Sequence, residues 1–152
     1  MAMTMTGEVQ LAAPREAVWD KLNDPDVLKN CLSGCEAFDR LGDNEYQVVV
    51  IAKVGPVKAK FKGKLRLSEL DPPNSYKISG EGEGGVAGFA KGGAGVALTD
   101  KDDGTLLTYD VDAQIGGKIA QLGQRLVVGA AKKVADEFFA KFAQAVGAPP
   151  AP

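Results

Sequence analysis

Histidine is absent from this chain of 152 residues, and cysteine occurs only twice. Without an imidazole, the usual Ser-His-Asp and Cys-His catalytic arrangements cannot be assembled. Cys31 and Cys35 have no second cysteine pair elsewhere, and two thiolates do not complete a tetrahedral zinc site. We therefore expect no metal site and no catalytic residue of the common nucleophilic classes. General acid–base catalysis would fall to Asp, Glu, Lys or Tyr.

Long hydrophobic runs and an excess of charge of one sign are absent as well. No apolar stretch could span a bilayer, and the N-terminal MAMTMTGEVQ lacks the basic start and apolar core of a signal peptide. Lys and Arg number 18 against 20 Asp and Glu, so the net charge is -2. A nucleic-acid partner is not expected, because such proteins carry a basic excess. We predict a cytoplasmic protein with one hydrophobic core.

Along the chain, segments typical of strands, in which every second residue is apolar, are interspersed with segments typical of helices. Residues 5–13 alternate weakly and predict a first strand. Pro14 and the pair Asp24-Pro25 each favour the start of a short helix, because proline fits the first helical turn and aspartate caps it. Six further strands are predicted over 36–41, 45–54, 57–70, 75–83, 94–98 and 105–115.

From Gly117 onward the apolar residues recur every three or four positions and predict a long amphipathic helix of about seven turns. Its stripe consists of Ile119, Leu122, Leu126, Ala130, Val134, Phe138 and Phe142. A sheet with one apolar face would bury that stripe, which gives a two-layer α+β fold. We predict a single domain over residues 1–146 and a flexible Pro/Ala tail over residues 147–152.

The strand over 57–70 shows the clearest alternation in the chain. One face is mostly apolar, and the other carries a cationic stripe of Lys58, Lys60, Lys62, Lys64 and Arg66. This stripe is a candidate docking surface for a partner protein or for anionic lipid head groups. The alternative is an ordinary solvated strand face. Its charge would then be neutralised by carboxylates on other strands, namely Glu81, Glu83, Asp110 and Asp112.

Eight of the nineteen residues in GEGEGGVAGFAKGGAGVAL, residues 80–98, are glycine. A phosphate loop is excluded, because no helix follows and Glu81 and Glu83 would repel phosphate. Glycines within strands mark bends or close approaches, and VAGFA between them is an apolar loop. We interpret Val86, Gly88 and Phe89 as a lid over a cavity. The alternative is a floppy loop whose Phe89 fills the core.

Apolar residues that face inward from the sheet and the long helix are candidates for the wall of that cavity. Taken singly, each is more simply explained as core packing. The strand over 46–54 has an ambiguous phase, since Val49 and Ile51 are apolar too. The candidates are Val48, Val50, Phe61, Ile78, Val96, Tyr109 and Val111 from the strands, and Leu122, Leu126 and Ala130 from the helix.

Four stretches of the sequence resemble the CoxG family of carbon monoxide dehydrogenase subunits. They are VWDKLNDPDVLKNCLSGCE, KVGPVKAKFKG, EGGVAGFAKGGAGVAL and GGKIAQLGQRL, and the likeness extends over residues 5–143. The family belongs to the START-like (SRPBCC) superfamily. The resemblance implies a helix-grip fold, in which a curved antiparallel sheet of about seven strands wraps on the C-terminal helix around an apolar cavity. One departure is Ser33, where the family usually has proline.

The resemblance also implies a function. CoxG proteins are associated with attaching molybdenum-containing carbon monoxide dehydrogenases or related hydroxylases to the membrane, and with handling quinone. We therefore expect a non-catalytic accessory protein without a tightly bound cofactor, located in the cytoplasm or peripherally at the inner face of the cytoplasmic membrane. Its expected partners are an apolar small molecule, either an isoprenoid quinone or a lipid, and subunits of such an enzyme.

Two other functions stay open at this point. The chain could be an adaptor that docks the enzyme or the membrane surface without holding a ligand. It could also be a small-molecule enzyme of the superfamily, in which Asp110, Asp112 and Arg125 are the polar residues nearest the ends of the cavity. Fold alone does not decide between these functions.

Overall fold

The structure, a computed structural model, describes residues 1–147. Of the tail predicted over 147–152, all but Gly147 lies outside these residues. The strands are β1 (Ala2–Leu11), β2 (Cys35–Gly42), β3 (Glu45–Val54), β4 (Val57–Asp71), β5 (Ser75–Glu83), β6 (Phe89–Lys101) and β7 (Gly104–Gly116). The helices are α1 (Arg15–Leu22), α2 (Pro25–Cys31) and α3 (Gln124–Ala145).

The two short helices begin at the two prolines that predicted them. Pro14 caps α1 instead of occupying its first turn, and its carbonyl oxygen accepts a hydrogen bond from the Val18 N–H at 3.1 Å. Pro25 does lie in the first turn of α2, where its missing N–H costs no hydrogen bond. The Asp24 carboxylate accepts a hydrogen bond from the Asp26 N–H at 3.0 Å and so caps that helix.

All seven strands form one antiparallel sheet in the order β1-β7-β6-β5-β4-β3-β2. Every adjacent pair except β1 and β7 is therefore a hairpin of consecutive strands. In β3, Tyr46 and Val48 are buried whereas Gln47 and Lys53 are exposed, which resolves the phase of this strand. The sheet is curved, and its concave face, which carries Val48, packs against the helices.

The long helix begins later than the sequence predicts. Residues Ala120–Leu122 form a 3-10 turn, and Gly123 separates this turn from α3 with a φ of 95°. Residues other than glycine rarely adopt that backbone conformation, so the helical period that starts at Gly117 is interrupted there. α3 has 22 residues, which is about six turns instead of seven.

Three separate clusters of buried residues connect the sheet to the helices. The C-end core, at the C-terminal end of α3, is centred on Leu11, Leu107 and Phe142. The N-end core, at the start of α3, is centred on Val54, Ile115 and Val127. The edge core, between α2, β2 and β3, is centred on Phe38, Tyr46 and Val48.

A curved antiparallel sheet wrapped on one long C-terminal helix, with two short helices after the first strand, is the helix-grip architecture. The predicted α+β fold class is thereby confirmed. Within residues 1–147, no helix is both long enough and apolar enough to cross a membrane.

Candidate ligand-binding site

A pocket of about 380 Å³ lies on the concave face, bordered by all three cores. Strands β3 to β7 form its floor, and Leu32 after α2 closes one side. Its volume is in the range of small-molecule sites. The inward-facing residues around it are Leu32, Val48, Val50, Phe61, Gly63, Leu65, Ile78, Gly80, Gly82, Ala90, Gly92, Ala94, Val111 and Ala113.

Small residues create the open space above this floor. Gly80 pairs with Gly92 across β5 and β6, and Gly82 pairs with Gly63 across β4 and β5. At these four positions, no side chain rises toward the helix. Protein interiors are otherwise filled to crystal-like density. The pocket therefore arises from the choice of residues on the sheet and not from the topology alone.

Two of these glycines are also required by the close approach of neighbouring strands. A Cβ atom at Gly63 would lie 2.6 Å from the carbonyl oxygen of Glu81, and one at Gly92 would lie 2.7 Å from the Cα of Ala113. At Gly82, by contrast, the nearest atom would be the Lys62 carbonyl oxygen at 3.6 Å, an ordinary contact. A side chain at position 82 would enter the pocket without a backbone clash.

Within residues 1–147, the residues that border the pocket come from β3 to β7 and from Leu32, and none comes from α3. Val127, Val134 and Phe138 share one face of the helix, because they are seven and four residues apart. Val127 near the start of α3 is 5% exposed and Phe142 near its end is 0% exposed, whereas Val134 is 43% exposed. The two ends of the helix are thus packed on the sheet, whereas Val134 in its middle is accessible.

The wall of the pocket is apolar. Glu81, Lys91 and Asp112 border it through their backbone, because their exposed side chains alternate with inward-facing neighbours and point to the convex face. The nearby phenol of Tyr109 packs in the C-end core, with its ring 5.1 Å from that of Phe139. Burial, and secondly Asp136, raise the pKa of this phenol. The arrangement suits an apolar ligand and offers no obvious acid or base.

The structure brings only some of the predicted cavity residues together. Val48, Val50, Phe61, Ile78 and Val111 all border the pocket. Val96 and Tyr109 instead pack against the C-end core, and Leu122 and Ala130 pack against the N-end core. Leu126 is 47% exposed and stands beside Gly55 in the β3–β4 turn. The prediction that Leu126 belongs to the cavity wall was therefore wrong.

Sequence reasoning missed much of the floor. Gly63 and Gly92 border the pocket but have no side chain that an apolar pattern would register. The signal that could have found them is their spacing, since each stands two residues from an inward apolar neighbour on its strand. Leu32 was missed because it follows α2 and belongs to no periodic segment.

The predicted lid also needs correction. Phe89 lies on the convex face, because it is paired with Glu83 and Gly116 and its ring covers Gly116. Val86 at the loop tip is 91% exposed, while Ala87 beside it is buried. The Ala87 carbonyl oxygen accepts a hydrogen bond from the Ile119 N–H at 2.8 Å. The loop is thus tied to the chain before α3, and its aromatic ring points away from the pocket.

Gly88 is the one lid residue whose backbone demands glycine. Its φ is 119°, and a Cβ atom there would collide with the carbonyl oxygen of Gly116. Gly88 therefore allows the loop to pass close to the end of β7. This role is a packing role at the end of the sheet.

The cationic stripe of β4 is exposed on the convex face, but carboxylates flank most of it. Lys60 lies 2.9 Å from Glu36, and Arg66 lies 2.7 Å from Glu45. On the neighbouring strand β5, Glu83 lies opposite Lys62 and Glu81 lies opposite Lys64. On the other neighbour, β3, Lys53 lies opposite Lys58. The neutralisation expected from Glu81 and Glu83 therefore matches the register. Asp110 and Asp112 lie on β7, three strands away from β4, opposite Gly95 and Gly93 on β6.

Depressions of comparable volume also occur on the convex face. Three of them measure about 460, 450 and 390 Å³. Charged, exposed side chains such as Lys64, Glu81 and Lys91 surround them, and they follow the outer surface of the sheet. The concave pocket is distinct because the three cores border it.

The remaining candidate reactive groups are scattered or protected. Burial raises the pKa of both thiols, that of Cys31 and that of Cys35. A thiol with a raised pKa is a weak nucleophile and a weak metal ligand. Asp110, Asp112 and Arg125 are exposed and do not converge on the concave pocket. Among residues 1–147, no group of three or more His, Cys, Asp or Glu side chains could hold a metal ion.

The family to which this chain belongs follows from comparison with known sequences. The sequence profile of CoxG, described as a subunit of carbon monoxide dehydrogenase, matches residues 7–147. The chain belongs to the CoxG family. No curated protein matches this CoxG-family chain.

Solved structures support the assignment of the fold. A conserved protein from Geobacillus kaustophilus is 34% identical, with 95% of each chain covered and a TM-score of 0.89. An aromatase/cyclase (Zhui) from Streptomyces sp. R1128 is 14% identical, covers 96% of this chain and 94% of its own, and has a TM-score of 0.70. A protein from Thermus thermophilus is also 14% identical, with 95% and 97% covered and a TM-score of 0.70. The last two similarities concern the fold alone.

Proposed function

We propose that this CoxG-family chain is a non-catalytic carrier that holds an apolar ligand, an isoprenoid quinone or another lipid, in the concave pocket. The observation that carries the proposal is the open floor of glycine and alanine on the concave face. Filling such a space with larger apolar side chains would add stability. A floor that stays open at that cost is expected where a ligand supplies the missing contacts.

The size of the pocket limits how the ligand would lie. A volume of about 380 Å³ accommodates a ring system and the first part of a hydrocarbon tail. A longer tail would extend past Phe61 and Ala90, which border both the pocket and the N-end core. The absence of charged side chains around the pocket favours binding through apolar burial and not through recognition of a charged head group.

The family description supports a partner for this carrier. We propose that the ligand is exchanged with a molybdenum hydroxylase of the carbon monoxide dehydrogenase type, at the cytoplasmic face of the membrane. A carrier needs no acid or base in its pocket, which agrees with the apolar wall. The alternative, an adaptor that docks the enzyme without a ligand, does not need the open floor.

The decisive experiment is organic extraction of the purified protein followed by mass spectrometry. The protein is produced in a quinone-containing host, and the wild type is compared with Gly82→Leu and Ser79→Leu. Leucine at position 82 enters the pocket, whereas leucine at position 79 lies on the exposed face of the same strand. We expect a stoichiometric quinone or lipid in the wild type and in Ser79→Leu, and its loss by at least about tenfold in Gly82→Leu.

The proposal fails if the wild type carries no quinone or lipid, or if both leucine variants retain it equally. An empty wild type would favour the adaptor. Phe89→Asp serves as a further control, because the ring of Phe89 lies on the convex face and its loss should leave the ligand content unchanged.

A further inference from the structure

The two ends of the sheet carry opposite charge. One end, here called the basic end, is formed by residues 53–58, 83–89 and 114–126. It contains four cations, Lys53, Lys58, Lys118 and Arg125, and one carboxylate, Glu83. Around the turns at the other end lie seven carboxylates, Asp43, Glu45, Glu69, Asp71, Asp100, Asp102 and Asp103. The cations near them include Lys101 and three that form ion pairs with Glu45, Glu69 and Asp100, namely Arg66, Lys77 and Arg15. A chain with a net charge of -2 thus has a local positive excess at one place.

Specific contacts hold the three segments of the basic end together. The Ile119 N–H donates to the Ala87 carbonyl oxygen at 2.8 Å, which joins the second segment to the third. A Cβ atom at Gly55 would lie 3.6 Å from a methyl carbon of Leu126, which places the β3–β4 turn beside the start of α3. Beneath them, the N-end core joins β3, β7 and α3. The basic end is therefore one continuous, fixed surface.

Apolar side chains project from this surface. Val86 is 91% exposed, and Phe89 and Leu126 are each 47% exposed. Of the six large apolar side chains exposed among residues 1–147, three are thus found at this one end, together with four exposed cations. Within residues 1–147, none of those four cations forms an ion pair, whereas Lys60 and Arg66 of the β4 stripe do.

We infer that the basic end is a docking surface for a membrane that contains anionic lipids. Apolar tips among unpaired cations match the two layers of a membrane surface, since the tips enter the acyl boundary and the cations remain among the phosphates. An acidic protein partner would match the cations but would leave Val86, at the very tip of its loop, without a counterpart. The β4 stripe is a poorer candidate, because neighbouring carboxylates cancel most of its charge.

Docking by this end would bring the pocket close to the membrane. Phe61, Ala90 and Ala113 border the pocket and also pack against the N-end core, directly inside the basic end. A ligand in the pocket would then lie one layer of side chains from the lipid. The docking surface itself is independent of whether a ligand is bound.

The test is co-sedimentation of the full chain with lipid vesicles at low salt. Vesicles of phosphatidylcholine alone are compared with vesicles that also contain phosphatidylglycerol. We expect wild-type binding only to the anionic vesicles, weakened by added salt. The double variant Lys118→Glu/Arg125→Glu should bind at least about tenfold more weakly, and Val86→Asp should also weaken binding. Neither change disturbs an ion pair or a buried group, so folding, checked by circular dichroism, should be retained.

The matched control is Lys62→Glu/Lys64→Glu, which makes the same change of charge on the β4 stripe. It should weaken vesicle binding by less than about threefold. Equal weakening by the two double variants would overturn the inference, as would equal wild-type binding to neutral and anionic vesicles. Wild-type protein that ignores both vesicles would overturn it too. Ligand extraction from the same variants separates this result from the carrier proposal, because the charge reversals should leave the ligand content unchanged.

Discussion

The filled end and the open middle of the concave face are built from the same strands and the same helix. At the C-end core, Phe142, Leu107 and Leu11 are each 0% exposed. In the middle of the sheet, glycines and alanines of β4 to β6 leave a pocket open, and Val134 in the middle of α3 is 43% exposed. The difference shows that a helix-grip sheet does not enclose a cavity by its curvature alone. Residue size along β4, β5 and β6 decides where the concave face is filled and where it stays open.

The largest expected effect separates the two regions by stability. Phe142→Ala should lower the free energy of unfolding by about 3–5 kcal/mol, because it leaves a cavity in a closed core. Val134→Ala should change it by less than about 0.5 kcal/mol, because the valine is already accessible. Urea denaturation of both variants, with unchanged m-values, measures the difference. Equal losses would show that the middle of α3 is packed as tightly as its end.

A smaller effect distinguishes two glycines of the floor. Gly92→Ala should cost about 1–3 kcal/mol, because the new methyl group would press on the backbone of Asp112 and Ala113. Gly82→Ala should be neutral or stabilising by up to about 1 kcal/mol, since its Cβ meets only an ordinary contact and alanine restricts the unfolded chain. Thermal unfolding of the ligand-free proteins tests this order. A larger loss in Gly82→Ala would contradict the geometry of the floor.

The smallest effect concerns alkaline pH. Burial, and then the charge of Tyr46, raise the pKa of Tyr76 in the C-end core well above its ordinary value of 10.0. The folded protein therefore keeps this proton where the unfolded chain loses it. The stability that the protonated Tyr76 phenol contributes to the folded state is fully present below pH 10 and is lost as the pH rises further.

Tyr76→Phe should accordingly reduce the fall in stability above about pH 10. The phenylalanine ring can keep the edge contact with Trp19, whose ring lies 5.3 Å from that of Tyr76. Urea midpoints at several pH values provide the measurement. Part of the fall should remain, because burial also raises the pKa of Tyr109 and of both thiols. Identical pH profiles for the two proteins would contradict the assignment.

Local patterns predicted most of the fold. The alternation in β4 and the prolines at α1 and α2 report directly on side-chain direction and on helix starts, so these elements were found. The break at Gly123 was missed, because apolar residues continue with helical spacing through it. The spacing of apolar residues does not reveal a backbone conformation with positive φ.

The candidate site was less predictable than the fold. Inward residues of β3 to β5, such as Val50, Phe61 and Ile78, follow from alternation, and they do border the pocket. Phe89 was assigned to a lid because it is apolar and near a loop. Its direction depends on the pairing register of β6, which places Ala90 inward and Phe89 outward. A one-residue difference in phase moves a side chain to the other face of the sheet, and composition does not determine phase.

The separation of charge between the ends of the strands has a consequence before any contact is made. The chain is an electric dipole directed along its strands, with the four cations of the basic end at its positive pole. Near an anionic surface, within about 10 Å at moderate salt, such a dipole experiences a torque that turns the positive pole forward. The molecule would then arrive already aligned, with its pocket toward the bilayer. Salt should therefore slow its association with anionic vesicles much more than it speeds its release.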